Sequence, residues 1–147
     1  AKAQVPVIMS AMDSLPSSFD SLHASLDNAA ALEKAGVKVI LTVGGDASHN
    51  IYQLRFDAGN AVSYGMSQQG ALEAVTSNVA SVFNINAGSI EVGKAADVVM
   101  WSNDPFELSS HVSKMIINGE EVSTQSRQDK LRERYTTESS MPRAYTK

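Results

Sequence analysis

The residues best suited to chemistry lie in one short run, Gly44-Gly45-Asp46-Ala47-Ser48-His49-Asn50. Asp46 is the first candidate. A carboxylate can take up and release a proton during bond cleavage, and a loop directly after a strand is where scaffolds commonly place functional groups. The two glycines before it permit a sharp turn and leave room for a ligand. An Asp in a Gly-rich turn ahead of a helix also reads as a cap. His49 has two readings as well. It is a substrate contact or ligand of the same site, or a polar lead-in to the following helix with Ser48 or Asn50 as cap. A Gly-Gly turn before a helix can also cradle a phosphate, but both the dinucleotide fingerprint and the P-loop lysine are missing.

The chain has no cysteine. Disulfides and thiolate ligands are therefore excluded, and a metal would need His, Asp or Glu. The 3 histidines, His23, His49 and His111, are too far apart to form a ligand pair. His23 is expected to face solvent from the first helix, and His111 to lie in a loop before the last hairpin. Arg55 and Asp57 read as a surface pair, with a place at the mouth of a site as the alternative. Asp13, in a Ser-rich loop, reads as a solvated carboxylate or as part of that mouth. Asp97 is expected to hydrogen-bond locally, and Trp101 to belong to a small apolar core.

The elements that must hold these residues follow from periodicity. Val5–Met9 is a short apolar run, read as a strand. Leu22, Leu26, Ala29, Ala30 and Leu32 recur at helical spacing, predicting a helix over Ser21–Ala35 that Gly36 ends. Val37–Val43 is a nearly continuous apolar strand, as in parallel sheets covered on both faces. Strand, helix and strand thus make one βαβ unit with parallel strands. Ile51, Leu54, Ala58, Ala61 and Val62 mark the next helix, closed by Gly65. Ser67 is expected to cap another, with Leu72, Val75, Val79, Val82 and Phe83 on its buried side. The pattern then changes to short strands at Ser89–Val92, Ala96–Trp101, Val112–Ile117 and Glu120–Val122. Asn118-Gly119 is a hairpin-turn dipeptide. Thr124–Lys147 is charged and reads as a solvent-facing helix followed by a loose tail.

The 147 residues suffice for one ordinary domain. With 43% hydrophobic and 19% charged residues, the chain is globular rather than disordered. The net charge of −4 and the scattered basic residues before the tail speak against nucleic-acid binding. No apolar run reaches the roughly 18 residues of a membrane span. The expectation is a soluble protein, cytoplasmic or periplasmic. The sequence opens on Ala1-Lys2-Ala3-Gln4 without an initiator Met, which leads to the expectation that it starts in mid-protein. Two apolar parallel strands also need further strands beside them. A preceding part of the protein, another chain or a second copy would supply these.

Three ordered motifs carry a family resemblance over about residues 5–123. Gly88-Ser89-Ile90-Glu91-Val92-Gly93-Lys94-Ala95-Ala96-Asp97-Val98-Val99, continued by Asp104-Pro105, resembles the amidohydrolase pattern G-x-I-x-x-G-K-x-A-D-h-V. Ala71–Phe83 resembles A-L-x-x-A-T-x-N-P-A, with Val79 in place of the usual Pro. Ile116–Val122 resembles the closing hairpin, V-x-x-G-x-x-V. The sequence is similar to the C-terminal portion of the amidohydrolase superfamily, nearest the imidazolonepropionase-like group.

The resemblance implies an α/β fold: the last βα units of a (β/α)8 TIM-type barrel over 1–86, strands of a small β-sandwich over 87–123, and a charged helix and tail over 124–147. It implies an incomplete fragment of that fold. It places Asp46 at the end of the final barrel strand, where such barrels hold catalytic residues. There Asp46 would be both catalytic residue and metal contact, taking a proton from a metal-activated water and passing it to the leaving nitrogen of an amide or cyclic amide. The metal would be divalent, commonly zinc, with its other ligands outside this chain. His49 would contact a small-molecule substrate. The full-length protein would be a hydrolase of carbon–nitrogen bonds other than peptide bonds, and the isolated chain would be inactive, since one carboxylate does not make a metal site. The competing expectation is a non-catalytic assembly or binding module.

Overall fold

The computed structural model describes residues 2–44 and 48–137. Asp46 therefore lies outside the described residues. Two parallel strands, β1 (Val7–Met9) and β2 (Val39–Leu41), pair in register with Ile8 opposite Ile40. All three residues of β2 are buried, while β1 is only half covered. Between the strands runs α1 (Asn28–Lys34). The βαβ unit is present as expected, with shorter elements. The helix predicted from Ser21 starts only at Asn28, after a single 3-10 turn at Phe19–Ser21. Ser25 donates its hydroxyl to Asp27, and such local bonds compete with helical ones. Gly36 ends the helix with φ +74°, the left-handed geometry that a Cβ disfavours.

A 3-10 segment (Ser48–Gln53) leads into α2 (Leu54–Ser63), and Gly65 follows at φ +100°. Ser67 caps α3 (Gln68–Val75) as predicted, accepting from Gly70 N at 2.9 Å. The single helix expected through Phe83 is two. The backbone breaks at Thr76, φ −131° and ψ −91°, before α4 (Ser77–Phe83). Thr76 Oγ1 bonds back to Leu72 O at 2.6 Å, a contact that bends helices. Gly88 packs into the break: a Cβ there would stand 2.8 Å from Thr76 O.

Alanines dominate the core. Ala29 and Ala30 of α1, Ala58 and Ala61 of α2, and Ala71 and Ala74 of α3 close on Val39 and Leu41. Leu72 and Phe83, expected on a buried side, lie open. Small side chains let the helices approach β2 closely, so the buried stripe falls on alanines while the bulky residues point away.

The second sheet is antiparallel, in the order β3 (Val98–Trp101), β4 (Val112–Ile117) and β5 (Glu120–Val122). Asn118 and Gly119 turn the hairpin with φ +52° and +81°, the two positive values a type I′ turn requires. Asp97 accepts from Asn118 N at 2.7 Å and so pins that turn from β3's side, the local role expected of it. Ser89–Val92 is not a strand. It has no ladder partner among the described residues, and Ile90 and Val92 are open. A capping box between Ser126 and Asp129 starts α5 (Arg127–Thr136), the solvent-facing helix read from the charge pattern. No helix of the described residues is long and apolar enough to cross a membrane.

Candidate active site at the strand ends

The C-terminal ends of β1 and β2 open into a cavity of about 430 Å³. Ser10, Met12 and Asp13 line it from the loop after β1, and Val43 and Gly44 from the end of β2. Asn50, Tyr52, Phe56, Asp57 and Asn60 close it from the segment leading into α2 and from α2 itself. Open sheets of parallel strands bind ligands at this end because the connecting loops converge there.

The loop after β1 is held by a buried carboxylate. Asp57 is only 6% exposed. Its Oδ2 accepts from Ala11 N at 2.9 Å, and its Oδ1 from Met12 N at 3.2 Å and from Ser10 Oγ at 3.4 Å. Ser10 Oγ in turn accepts from Asp13 N at 3.3 Å. One side chain of α2 thereby satisfies consecutive backbone donors that the end of β1 leaves unpaired. Burial pushes the Asp57 carboxyl above the ordinary carboxylate value. The hydrogen bonds from Ala11, Met12 and Ser10 oppose that push, and the charge of Asp13 adds to it.

The surface pair read for Arg55 and Asp57 does not exist. Asp57 faces inward. Arg55 donates Nη1 to Pro105 O at 2.8 Å and Glu107 O at 3.0 Å. Its guanidinium lies 4.1 Å from the Phe56 ring centroid and 5.0 Å from that of Trp101. An arginine suits this place because its planar fork bonds two carbonyls while its face meets a ring. The signal for Asp57 was present in the sequence. Leu54, Asp57, Ala58 and Ala61 share the spacing of one helical face, so an acid sat on the stripe that the apolar residues marked as buried.

Asp13 stands at the cavity mouth, the second of its two readings. It is exposed to solvent, and a Cβ on Gly44 would run into its carboxyl group. His49 is exposed within the 3-10 segment and is not among the cavity residues. His23 and His111 are both exposed, as read. The described residues do not fit a metal by themselves, since no group of three or more His, Asp or Glu converges among them.

A second concavity of about 280 Å³ lies at the opposite end of β2, lined by Glu33, Lys38 and Asn78. Its polar groups are engaged within the fold. Glu33 accepts from Ser67 N, Lys38 donates to Ser81 Oγ, and Asn78 donates to Val39 O. Among the described residues Asp13 accepts no such bond, and the strand-end cavity is the candidate site.

Comparison with known proteins agrees on one family. The family described as "Amidohydrolase family" matches residues 2–122. An adenine deaminase of Methanosphaera stadtmanae is 42% identical over 62 residues, which make up 42% of this chain and 11% of that protein. The crystal structure of an amidohydrolase from Thermotoga maritima is similar with a TM-score of 0.71 at 29% identity. That match covers 85% of this chain and 33% of the Thermotoga chain.

Proposed function

The chain belongs to the amidohydrolase family, and from that premise we propose that it forms the last βα units and the small β-sheet portion of a barrel hydrolase acting on a carbon–nitrogen bond. The observation that carries this reading is the family match across residues 2–122. The cavity at the C-terminal ends of the two parallel strands supports it. The similarity to an adenine deaminase favours C–N hydrolysis at an amino-substituted nitrogen heterocycle within the range of amides and cyclic amides. A non-catalytic assembly module is the second reading. It draws on the lack of a metal-holding group among the described residues.

Asp46 is the proposed proton carrier, and the metal contact of this chain. It follows Gly44 by two positions, and Gly44 lines the cavity. Its carboxylate would take the proton of the attacking water and deliver it to the departing nitrogen. A divalent metal held here, commonly zinc in this family, would supply a water of lowered pKa; Asp46 would be its contact from this chain, and its remaining ligands would come from outside the described residues. His49 keeps a proposed role as a substrate contact from the 3-10 segment.

Asp46→Asn in the full-length protein is the test. It should lower turnover by about 10²–10⁴-fold, the usual contribution of a positioned acid–base group, while the circular dichroism spectrum is retained. Turnover equal to the unmodified protein would remove Asp46 from the chemistry. Absence of any C–N hydrolysis in the unmodified protein would favour the assembly reading.

A further inference from the structure

The loop after β1 and the segment after β2 meet through one relay of side chains. The register of the two strands ends with Met9 opposite Leu41. The N–H groups of Ala11 and Met12 lie beyond it and need other acceptors. Asp57 supplies both, at 2.9 and 3.2 Å, from 46 and 45 positions away. Ser10 Oγ donates to Asp57 at 3.4 Å and accepts from Asp13 N at 3.3 Å. The Asp13 carboxyl group then rests against Gly44, and Gly44 precedes Asp46 by two positions. Ser10, Ala11 and Asp57 are all buried.

Stability alone does not explain an acid at this point. Burial raises the Asp57 carboxyl above its ordinary value, so folding works against its charge. The bonds it makes run to a loop at the strand ends. A carboxylate holds adjacent N–H groups more firmly than a neutral acceptor does. Firmness is what a site built on strand-end loops requires, since reacting groups tolerate displacements of only about 0.5 Å.

We propose that Asp57 is a positioning residue for the proton carrier Asp46, acting through Ser10, Asp13 and Gly44 to hold the two strand-end loops in one arrangement. The inference rests on the hydrolase reading and adds to it a group that acts without touching substrate or metal. A displacement of about 1 Å at the reacting groups lowers turnover by about 10²-fold. The effect falls on kcat rather than KM, because alignment for the reaction changes and ligand contacts do not.

The test uses the full-length protein with adenine or dihydrouracil, an amino-substituted ring and a cyclic amide, whichever it hydrolyses. Ser10→Ala cuts the link from Asp57 to Asp13 and leaves the bonds to Ala11 and Met12. Asp57→Asn disturbs all three bonds to the loop. Ser10→Ala should lower kcat by about tenfold and Asp57→Asn by about 10²-fold. KM should stay within about twofold in each. The double variant should be no slower than Asp57→Asn, because both substitutions cut one relay. Amide hydrogen exchange of the peptide spanning 10–13 should quicken in both variants. Where Asp57→Asn does not fold, Ser10→Ala decides by the same readings. An unchanged kcat despite faster exchange, a loss confined to KM, additive losses in the double variant, or a lower kcat with unchanged exchange each overturns the proposal. In all of these the unmodified protein still hydrolyses its probe, and the hydrolase reading stands. Hydrolysis of neither probe by the unmodified protein removes that reading and this inference together.

Discussion

A carboxylate buried at 6% exposure is costly unless its oxygens are satisfied. Asp57 meets that condition with two backbone N–H groups and a hydroxyl. Replacing it by Asn keeps the shape but turns one acceptor into a donor that faces donors. Asp57→Asn should therefore cost about 1–3 kcal/mol, the penalty for buried polar groups left unpaired. The pH dependence has a definite sign. The native carboxyl is raised above its ordinary value of 3.8, chiefly by burial. As pH climbs past that ordinary value, the unfolded chain releases its proton while the folded chain still holds one. The stability Asp57 contributes is thus fully present at acid pH and is lost as pH rises through the native value. Urea unfolding of both proteins across this range should show the gap between unmodified chain and variant shrinking with pH. A gap that is constant or widens would contradict the assignment. Asp57 was legible in the sequence as an acid on an apolar helical face. Asp13 was not, because a loop carboxylate carries no periodicity to say which way it points.

Helix α2 acts as a crossbar. It reaches the loop after β1 through Asp57, and the segment between β3 and β4 through Arg55. Gly59 allows that segment close: a Cβ there would stand 3.0 Å from Phe106 O. Arg55→Ala should loosen the 104–107 segment and lower stability by about 1.5–3 kcal/mol, the range for hydrogen bonds involving a charged group. Trp101 is the single tryptophan and lies beside the Arg55 guanidinium, so its fluorescence reads the change directly. Emission and unfolding midpoint both unaltered in Arg55→Ala would mean that the clamp contributes nothing. At this scale the punctuation was readable. Gly36, Gly65, Ser67 and Asn118-Gly119 each do what local chemistry predicts. The break at Thr76 was not readable, because Val79 and its neighbours continue a helical pattern across it. The Thr76 hydroxyl bond to Leu72 O and the packing of Gly88 into the gap show why the chain bends there.

Across the whole molecule, apolar surface is incompletely covered. β1 and β2 form a two-stranded parallel sheet, whereas parallel sheets are normally wider and covered on both faces. Phe19, Ile90 and Leu108 are each at least 80% exposed. Surface of this kind marks an interaction site or drives association. The 147-residue chain should therefore bind a hydrophobic dye such as ANS and sediment as concentration-dependent oligomers. A dye-silent monomer at micromolar concentration would show that the fold covers itself. The strand expected at Ser89–Val92 belongs to the same pattern, since a strand forms only where a neighbour offers a ladder.

The sequence alone determined the order of elements, the parallel βαβ unit, the hairpin and the family. Each of these follows from local periodicity, turn chemistry or short motifs, which need no distant contact to be read. It also brought attention to the run from Gly44 to Asn50, with Asp46 in it outside the described residues. Tertiary structure alone decided which side chains meet across 31 to 52 positions: Asp57 with Ala11 and Met12, Arg55 with Pro105 and Glu107, and Asp13 with Gly44. The reason is that a polar side chain's role depends on the unpaired donors and acceptors it finds when elements dock. Those partners are far away in sequence and come together only when the backbone has folded.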